Sequence, residues 1–423
     1  MQSVDLSSLR EPCSCGHEHK LEVREIFIGH DALKEVGPML HDGILAEFKH
    51  PAILCDENTL AATKDQLGSV LDEVEVVVLN PDHLHATNQA VDLVQERMTQ
   101  DVDVILAVGS GTIHDLSRYV AHSRNIDFVA CPTAASVDGF VSTVAAMTWN
   151  GMKDTKPARA PIYVIADTTV ISKAPKRLTA AGAADLFGKF TAVADWRICH
   201  EVTGEYICER ICGMALDAIE EVRSCMDGLA SGEEEPYAKL IWALLLSGLA
   251  MQMAGNSRPA SGSEHHVSHF WEMGVLAPEP DAYHGEKVGI GLVLMARRYH
   301  EIAAAIRAGK CEVVGWDGLP MERLEATYGA VGLMDGMMKE NTPDPLAVVD
   351  PAVLEAKLDT IADIIERDIP PIEELEALLR GCGCPMSAED IGLPASIEEP
   401  TVELSPYVRA RLTFNRISKM LRW

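Results

Sequence analysis

Two stretches of this 423-residue chain concentrate side chains able to hold a metal ion. One is Ser263-Glu264-His265-His266-Val267-Ser268-His269, and the other is Tyr283-His284-Gly285-Glu286-Lys287. His265 and His269 lie four positions apart, so on a helix they share one face. A third stretch, Gly182-Ala183-Ala184-Asp185-Leu186-Phe187-Gly188-Lys189, sets a carboxylate among apolar neighbours, where an unpaired charge would be unfavourable. One carboxylate and two imidazoles, with positions left open for substrate, form a catalytic divalent-metal site. A single histidine is more often a satisfied structural residue; three of them with a buried-looking aspartate favour the metal.

A second chemistry is suggested nearer the amino terminus. Gly109-Ser110-Gly111-Thr112 follows the strand pattern Val104–Val108 and opens a helix near Ile113. Glycines let backbone approach a pyrophosphate, and the amides and dipole of a helix start favour its charge. An ordinary strand-to-helix turn is the plain alternative. Asp115 and Leu116 stand where a third glycine would come, so the standard dinucleotide fingerprint is not satisfied. Asp56, at the end of another strand pattern, either accepts from an adenosine ribose or caps the next helix. The run Cys131-Pro132-Thr133-Ala134-Ala135-Ser136-Val137-Asp138-Gly139 puts small hydroxyls beside a carboxylate, which suits cofactor and substrate contacts or a simple capped turn. Cys13-Ser14-Cys15-Gly16-His17-Glu18-His19 offers four borderline ligands that could hold zinc. Its spacing is too tight for a usual finger, because alternate residues crowd one ion, and its role is left open.

These residues need elements to position them. Short β-rich runs occur at Glu25–Ile28, Ala52–Cys55, Val74–Leu79, Val102–Val108, Asp127–Cys131 and Ile162–Ala166. Helical periods separate them at Asn58–Leu71, His85–Met98 and Thr112–Ser123. Near-continuous apolar strands alternating with helices predict a parallel sheet covered on both faces. Beyond about Ser172 the strand signal fades, and helical segments follow at Arg177–Ala194, Tyr237–Ala254, Glu286–Ala304, Pro351–Arg367 and Ile372–Arg380. The expected fold is α/β plus all-α: a Rossmann-like parallel-sheet domain over residues 1–171, then a helical domain over residues 172–423. The chemistry is expected in the cleft between them. The stretch after residue 310 carries no motif.

Composition narrows the function classes. Hydrophobic residues at 47% and charged residues at 24% belong to a globular chain with a sizeable core. Against 36 Lys+Arg stand 64 Asp+Glu, a net charge of −28, and such a field repels nucleic acid and anionic membrane surfaces. Any phosphorylated substrate must then meet a local basic pocket. Eleven cysteines, an odd count, fit a reducing compartment, and no signal peptide is visible, so a cytoplasmic protein is expected. The stretch Leu240–Ala254 is shorter than the ~20 residues a membrane span needs and reads as a buried helix.

Taken together, Gly109 to Asp115, Pro132 to Gly139, Gly182 to Lys189, Ser257-Arg258-Pro259-Ala260-Ser261-Gly262-Ser263-Glu264-His265 and His284-Gly285-Glu286 resemble the sn-glycerol-1-phosphate dehydrogenase family. Within it the chain is most similar to the bacterial, AraM-like branch. The wider superfamily holds glycerol dehydrogenase, the iron-containing alcohol dehydrogenases and 3-dehydroquinate synthase. The resemblance implies that Asp56 meets the adenosine ribose and that Gly109, Ser110, Gly111, Thr112 and Ile113 meet the pyrophosphate. Thr133, Ser136 and Ser142 would face the nicotinamide, and Asp138 the substrate. Asp185, His265 and His284 would hold the metal, with His269 touching substrate. His265 is preferred to the adjacent His266 because Glu264-His265 matches the family's Glu-His pair.

The implied reaction is reversible reduction of dihydroxyacetone phosphate to sn-glycerol 1-phosphate by NADH or NADPH. The metal, zinc or nickel ahead of iron, would polarise the ketone, and a water or a His269-linked relay would supply the proton. Arg258 is the expected phosphate partner, ahead of Lys153, Lys156 and Lys189. Likewise implied is a homo-oligomer, in the simplest case a dimer. Glycerol dehydrogenase is the nearest rival reading. A dehydroquinate-synthase-like lyase is remoter, and a catalytically silent NAD-binding or scaffold protein is a different class altogether.

Overall fold

The computed structural model describes residues 2–423. It divides into two compact units, Met1–Leu186 with Asp217–Asn256, and Phe187–Leu216 with Ser257–Trp423.

The first unit is built on a sheet. Its strands are β1 (Gln2–Ser3), β2 (Glu25–Gly29), β3 (Pro51–Asp56), β4 (Glu75–Leu79), β5 (Val104–Gly109) and β6 (Asp127–Pro132). A separate hairpin, β7 (Val144–Trp149) and β8 (Met152–Pro157), precedes β9 (Tyr163–Asp167). The seven-stranded order is β1-β2-β9-β6-β5-β3-β4, parallel except for the short edge pair β1 and β2. The strand interiors Ile53-Leu54-Cys55, Val104 to Val108, Phe128 to Cys131 and Val164 to Ala166 are buried. Burial on both faces is why these runs are apolar throughout rather than alternating. Register pairs Leu54 with Ala107 and Gly109 with Pro132, so the carboxyl ends of β3, β5 and β6 form one edge. In parallel sheets that edge is where ligands bind.

All six expected strands are present. The β7–β8 hairpin was not expected, although Asn150-Gly151 carried its signal: both residues have positive φ, 52° and 83°, as a tight two-residue turn requires. The helix Glu234–Ala254 is longer than expected, because Pro236 falls in its first turn, where a missing N–H removes no intrahelical bond. Among the described residues it is the one helix long and apolar enough to cross a membrane by length and composition, and 78% of its apolar window is buried. An all-round apolar helix in that setting is a core helix.

The second unit is largely helical. Its main helices are Lys189–Thr203, Ser263–Glu272, His284–Arg307, Leu358–Asp368 and Ile372–Cys382. A single buried carboxylate ties three parts together. Asp195 accepts from Ser263 N (2.7 Å) and Oγ (2.9 Å), from the Tyr299 hydroxyl (2.8 Å), and from Phe414 N (2.7 Å). The motif-free tail is thus part of this unit's core: Arg416, fully buried, donates to Asn341 Oδ1, the Pro406 carbonyl and Asp344.

Candidate active site

Along the sheet edge of the first unit, local chemistry shapes a seat that favours an anion. Asp56 caps the helix Glu57–Leu67: its Oδ1 accepts from Asn58 N and Thr59 N, both at 2.9 Å. The cap uses that one oxygen. The helix Gly111–Arg124 starts directly after β5 with Ser110 at its cap position, and the Ser110 side chain makes no capping hydrogen bond to its first amides. Those amides have no intrahelical acceptor and favour an anion. The Cys131–Gly139 run lies against this turn. Thr133 N donates to the Gly109 carbonyl (2.9 Å), and a Cβ on Gly111 would stand 3.2 Å from Val137. Gly109 has no room for a side chain, since a Cβ there would lie 2.6 Å from Ile113. Gly109 to Ile113 and Thr133 to Asp138 therefore share one place at the sheet edge.

Ser142 closes this seat. Its Oγ accepts from Val144 N, and its carbonyl accepts from Arg118 (2.9 Å). Arg118, buried on the helix Gly111–Arg124, also donates to the carbonyls of Phe140 (3.1 Å) and Val144 (3.2 Å). Sequence reasoning missed this organiser of the loop, an arginine on the buried side of the helix. Beneath the loop, Asp138 Oδ2 accepts from the Ser247 hydroxyl (2.8 Å), while Asp138 N donates to Asp185 Oδ2 (3.1 Å). Asp185 itself, on the helix Lys176–Phe187, is fully buried. The packing needs Gly182, because a Cβ there would sit 2.1 Å from the Ala135 carbonyl oxygen.

In the second unit three imidazoles converge. Ring centroids lie 5.1 Å apart for His265 and His284, 5.7 Å for His269 and His284, and 6.1 Å for His265 and His269. The helix Ser263–Glu272 presents two of them one turn apart, and the helix His284–Arg307 brings the third at its first residue. His265, not His266, faces His284; His266 is buried, with neither ring nitrogen bonded among the described residues.

Two buried carboxylates fix the orientation of the outer imidazoles. Glu264 Oε1 accepts from His265 Nδ1, and Glu272 Oε1 accepts from His284 Nδ1, each at 2.8 Å. A carboxylate can only accept here, so both Nδ1 atoms carry hydrogen, and in the neutral ring the lone pair is then on Nε2. This is how metal-binding imidazoles are held. Burial opposes the charge of Glu264, yet the donors His265, Thr191 and Gly262 outweigh it and keep its pKa below the ordinary value. Neither carboxylate was singled out as an orienting group from sequence. Burial first, and then the Arg409 charge, hold the His269 pKa well below the usual imidazole range, so His269 is neutral. Its Nδ1 has no hydrogen-bond partner among the described residues.

One expected phosphate partner is already engaged within the fold. Arg258 does not offer an open fork to a phosphate. Its Nε donates to Glu205 Oε1 (2.7 Å), its Nη2 to Glu205 Oε2, and its Nη1 to the Leu412 carbonyl (2.6 Å). A buried guanidinium stays where its bidentate carboxylate is, since separating them would leave an uncompensated charge.

Comparison with known proteins gives the family. An iron-containing alcohol dehydrogenase family model fits residues 27–175. A glycerol-1-phosphate dehydrogenase [NAD(P)+] from Geobacillus stearothermophilus is 32% identical over 381 residues, covering 86% of this chain and 93% of that one. The chain belongs to the glycerol-1-phosphate dehydrogenase family. A second relative of that name, from Bacillus velezensis, is 37% identical over 325 residues, 75% of this chain and 80% of the relative. Among solved structures, the NADH-dependent butanol dehydrogenase A of Thermotoga maritima superposes with a TM-score of 0.61 at 16% identity, covering 95% of this chain and 94% of that chain. That likeness carries the fold: a parallel-sheet α/β part followed by a largely helical part, as expected from the strand and helix patterns. Membership in the glycerol-1-phosphate dehydrogenase family agrees with the resemblance read from the motifs.

Proposed function

We propose that this protein is an NAD(P)-dependent sn-glycerol-1-phosphate dehydrogenase that interconverts dihydroxyacetone phosphate and sn-glycerol 1-phosphate. The observation that carries the reading is the pair of imidazoles, His265 and His284, each oriented by a buried carboxylate so that Nε2 is the ligating atom. With Asp185 they make one carboxylate and two imidazoles, a donor set suited to zinc or nickel ahead of iron. A divalent ion held there supplies Lewis acidity to a ketone oxygen, and the nicotinamide supplies the hydride.

The remaining work belongs to this chain's own residues. Gly109, Ser110, Gly111, Thr112 and Ile113 bind the pyrophosphate through the helix start, and Asp56 meets the ribose with the oxygen its cap leaves over. Thr133, Ser136 and Ser142 line the nicotinamide side, and Asp138 orients substrate. Neutral His269 passes the proton, because an imidazole held below its usual pKa accepts and donates without lasting charge. The substrate phosphate needs a cation. Arg409, half-buried and electrostatically the foremost neighbour of His266 and His269, takes that role in place of Arg258.

The chain's thiols and family fit a cytoplasmic enzyme working as a homodimer. The decisive experiment measures metal content and NADH-linked reduction of dihydroxyacetone phosphate before and after chelation. Activity should vanish with the metal and return with zinc or nickel. Faster turnover of glycerol than of glycerol 1-phosphate would sink the phosphate assignment and favour a polyol dehydrogenase.

A further inference from the structure

The segment between β1 and β2 includes residues 11–24, which lack helix and strand, and it carries Cys13, Cys15 and His19. Sequence spacing alone argued against one ion gathering alternate residues. The structure removes that objection. Gly16 takes a left-handed φ of 80°, and its N–H donates to the Cys13 carbonyl (3.2 Å), closing a turn between the two thiols and the imidazole. One ligand atom from each of Cys13, Cys15 and His19 then lies within 4.8 Å of the others, and Cys15 Sγ is 3.2 Å from His19 Nε2.

Two outer contacts tune these groups as a metal would require. His19 Nδ1 donates to the Met253 carbonyl (2.7 Å), which fixes the tautomer and leaves the Nε2 lone pair facing the sulfurs. His17 N donates to Cys15 Sγ (3.5 Å), the kind of amide contact that stabilises a thiolate. Neither cysteine is in a disulfide.

We propose that Cys13 Sγ, Cys15 Sγ and His19 Nε2 bind a structural zinc ion, distinct from the ion of the dehydrogenase site. Two thiolates and one neutral imidazole are a soft, nitrogen-and-sulfur donor set, which selects zinc over magnesium or calcium. Binding releases the two thiol protons. A fourth position is completed by water or another group of the chain. The ion stiffens a segment with no regular hydrogen-bond ladder of its own and anchors it to the carboxyl end of the helix Glu234–Ala254. Glu22 N donates to Gln252 at that same helix end (2.9 Å), and Gln252 in turn donates to the Val141 carbonyl beside the nicotinamide loop.

The test is cobalt substitution of the metal-depleted wild-type protein. Thiolate ligation gives an intense near-ultraviolet sulfur-to-cobalt charge-transfer band, whereas an Asp/His/His site gives none. The expected result is one such band saturating at one cobalt per chain and displaced by zinc. In a C13S/C15S double variant the band should be lost and metal content should fall by one ion per chain, while activity on dihydroxyacetone phosphate persists. Absence of the band in wild-type protein, or metal content indifferent to the double substitution, overturns the proposal. Because the wild-type band needs no variant, misfolding of C13S/C15S would not mask the answer. Failure of the dehydrogenase reading would show separately, as absent turnover with the band intact.

Discussion

The carboxylate behind His265 gives the sharpest way to probe the metal site. Glu264 is fully buried and has three donors: Gly262 N (2.7 Å) and His265 Nδ1 (2.8 Å) on Oε1, and the Thr191 hydroxyl (2.6 Å) on Oε2. In Glu264→Gln, an amide oxygen on the Oε1 position keeps the first two bonds. The new NH2 then faces Thr191 Oγ1, which can accept while its own proton turns to the Gly188 carbonyl at 3.1 Å. Geometry is therefore preserved, and what disappears is the charge behind the imidazole. A hydrogen bond to a charged group contributes about 1.5–3 kcal/mol, and a neutral one about 0.5–1.5 kcal/mol. The difference, about 1–1.5 kcal/mol, corresponds to roughly tenfold weaker metal binding, in line with other outer-sphere substitutions. Competition against a chromophoric chelator measures the metal dissociation constant, and thermal unfolding checks that the fold is intact. At saturating metal, kcat should stay within a few-fold of wild type. An unchanged metal affinity in a folded variant would refute the idea that Glu264 acts through His265.

Three further outcomes follow from the geometry. Arg409→Ala should raise KM for dihydroxyacetone phosphate about 10- to 100-fold, as loss of a charge-assisted contact does, with KM for NADH unchanged; steady-state kinetics with each substrate varied in turn decides it. Gly182→Ala forces a Cβ to 2.1 Å from the Ala135 carbonyl, so the Thr133–Asp138 run must shift, weakening NADH binding and lowering stability by about 1–3 kcal/mol; calorimetry and cofactor titration read both. His114, buried with Nδ1 donating to the Ser110 carbonyl, has its pKa lowered to about 3, first by burial and then by the Arg118 charge against the opposing Ser110 bond. The unfolded chain protonates near the ordinary value of 6.5 and the folded one only near 3, so its contribution to stability is lost as pH falls through that window. The unfolding free energy from urea titrations should drop between pH 6.5 and 4 by roughly 1.4 kcal/mol per pH unit from this group, and His114→Leu should flatten the dependence.

Much of the fold was legible because its signals are local. Val104–Val108 and Phe128–Cys131 are apolar without alternation, as strands covered on both faces are. Helix starts at Asp56 and near Gly111 announced themselves by residue type. Where the reading fell short, the deciding interaction was distant in sequence. The role of Arg258 turns on Glu205 and Leu412, residues that no spacing rule connects to it. By contrast, His265 and His269 on one helix face were predictable from their spacing, and the choice of His265 over His266 came from the resemblance of Glu264-His265 to the family's pair; the structure adds the 5.1 Å approach of the His265 and His284 rings.

By itself, then, the order of residues determined the strand-and-helix alternation, the helix-start anion seat after β5 and the family to which the chain belongs. The first two follow from hydrophobic period, turn chemistry and backbone permissiveness, all of which act over a few neighbouring positions, and the family from the resemblance of its motifs. Tertiary structure alone decided which arginine is bound to a carboxylate, which carboxylates stand behind His265 and His284, and how Gly16 folds Cys13, Cys15 and His19 together. Charge pairing and ligand geometry are set by distances through space of a few ångströms, and the chain brings such partners together only once it has folded.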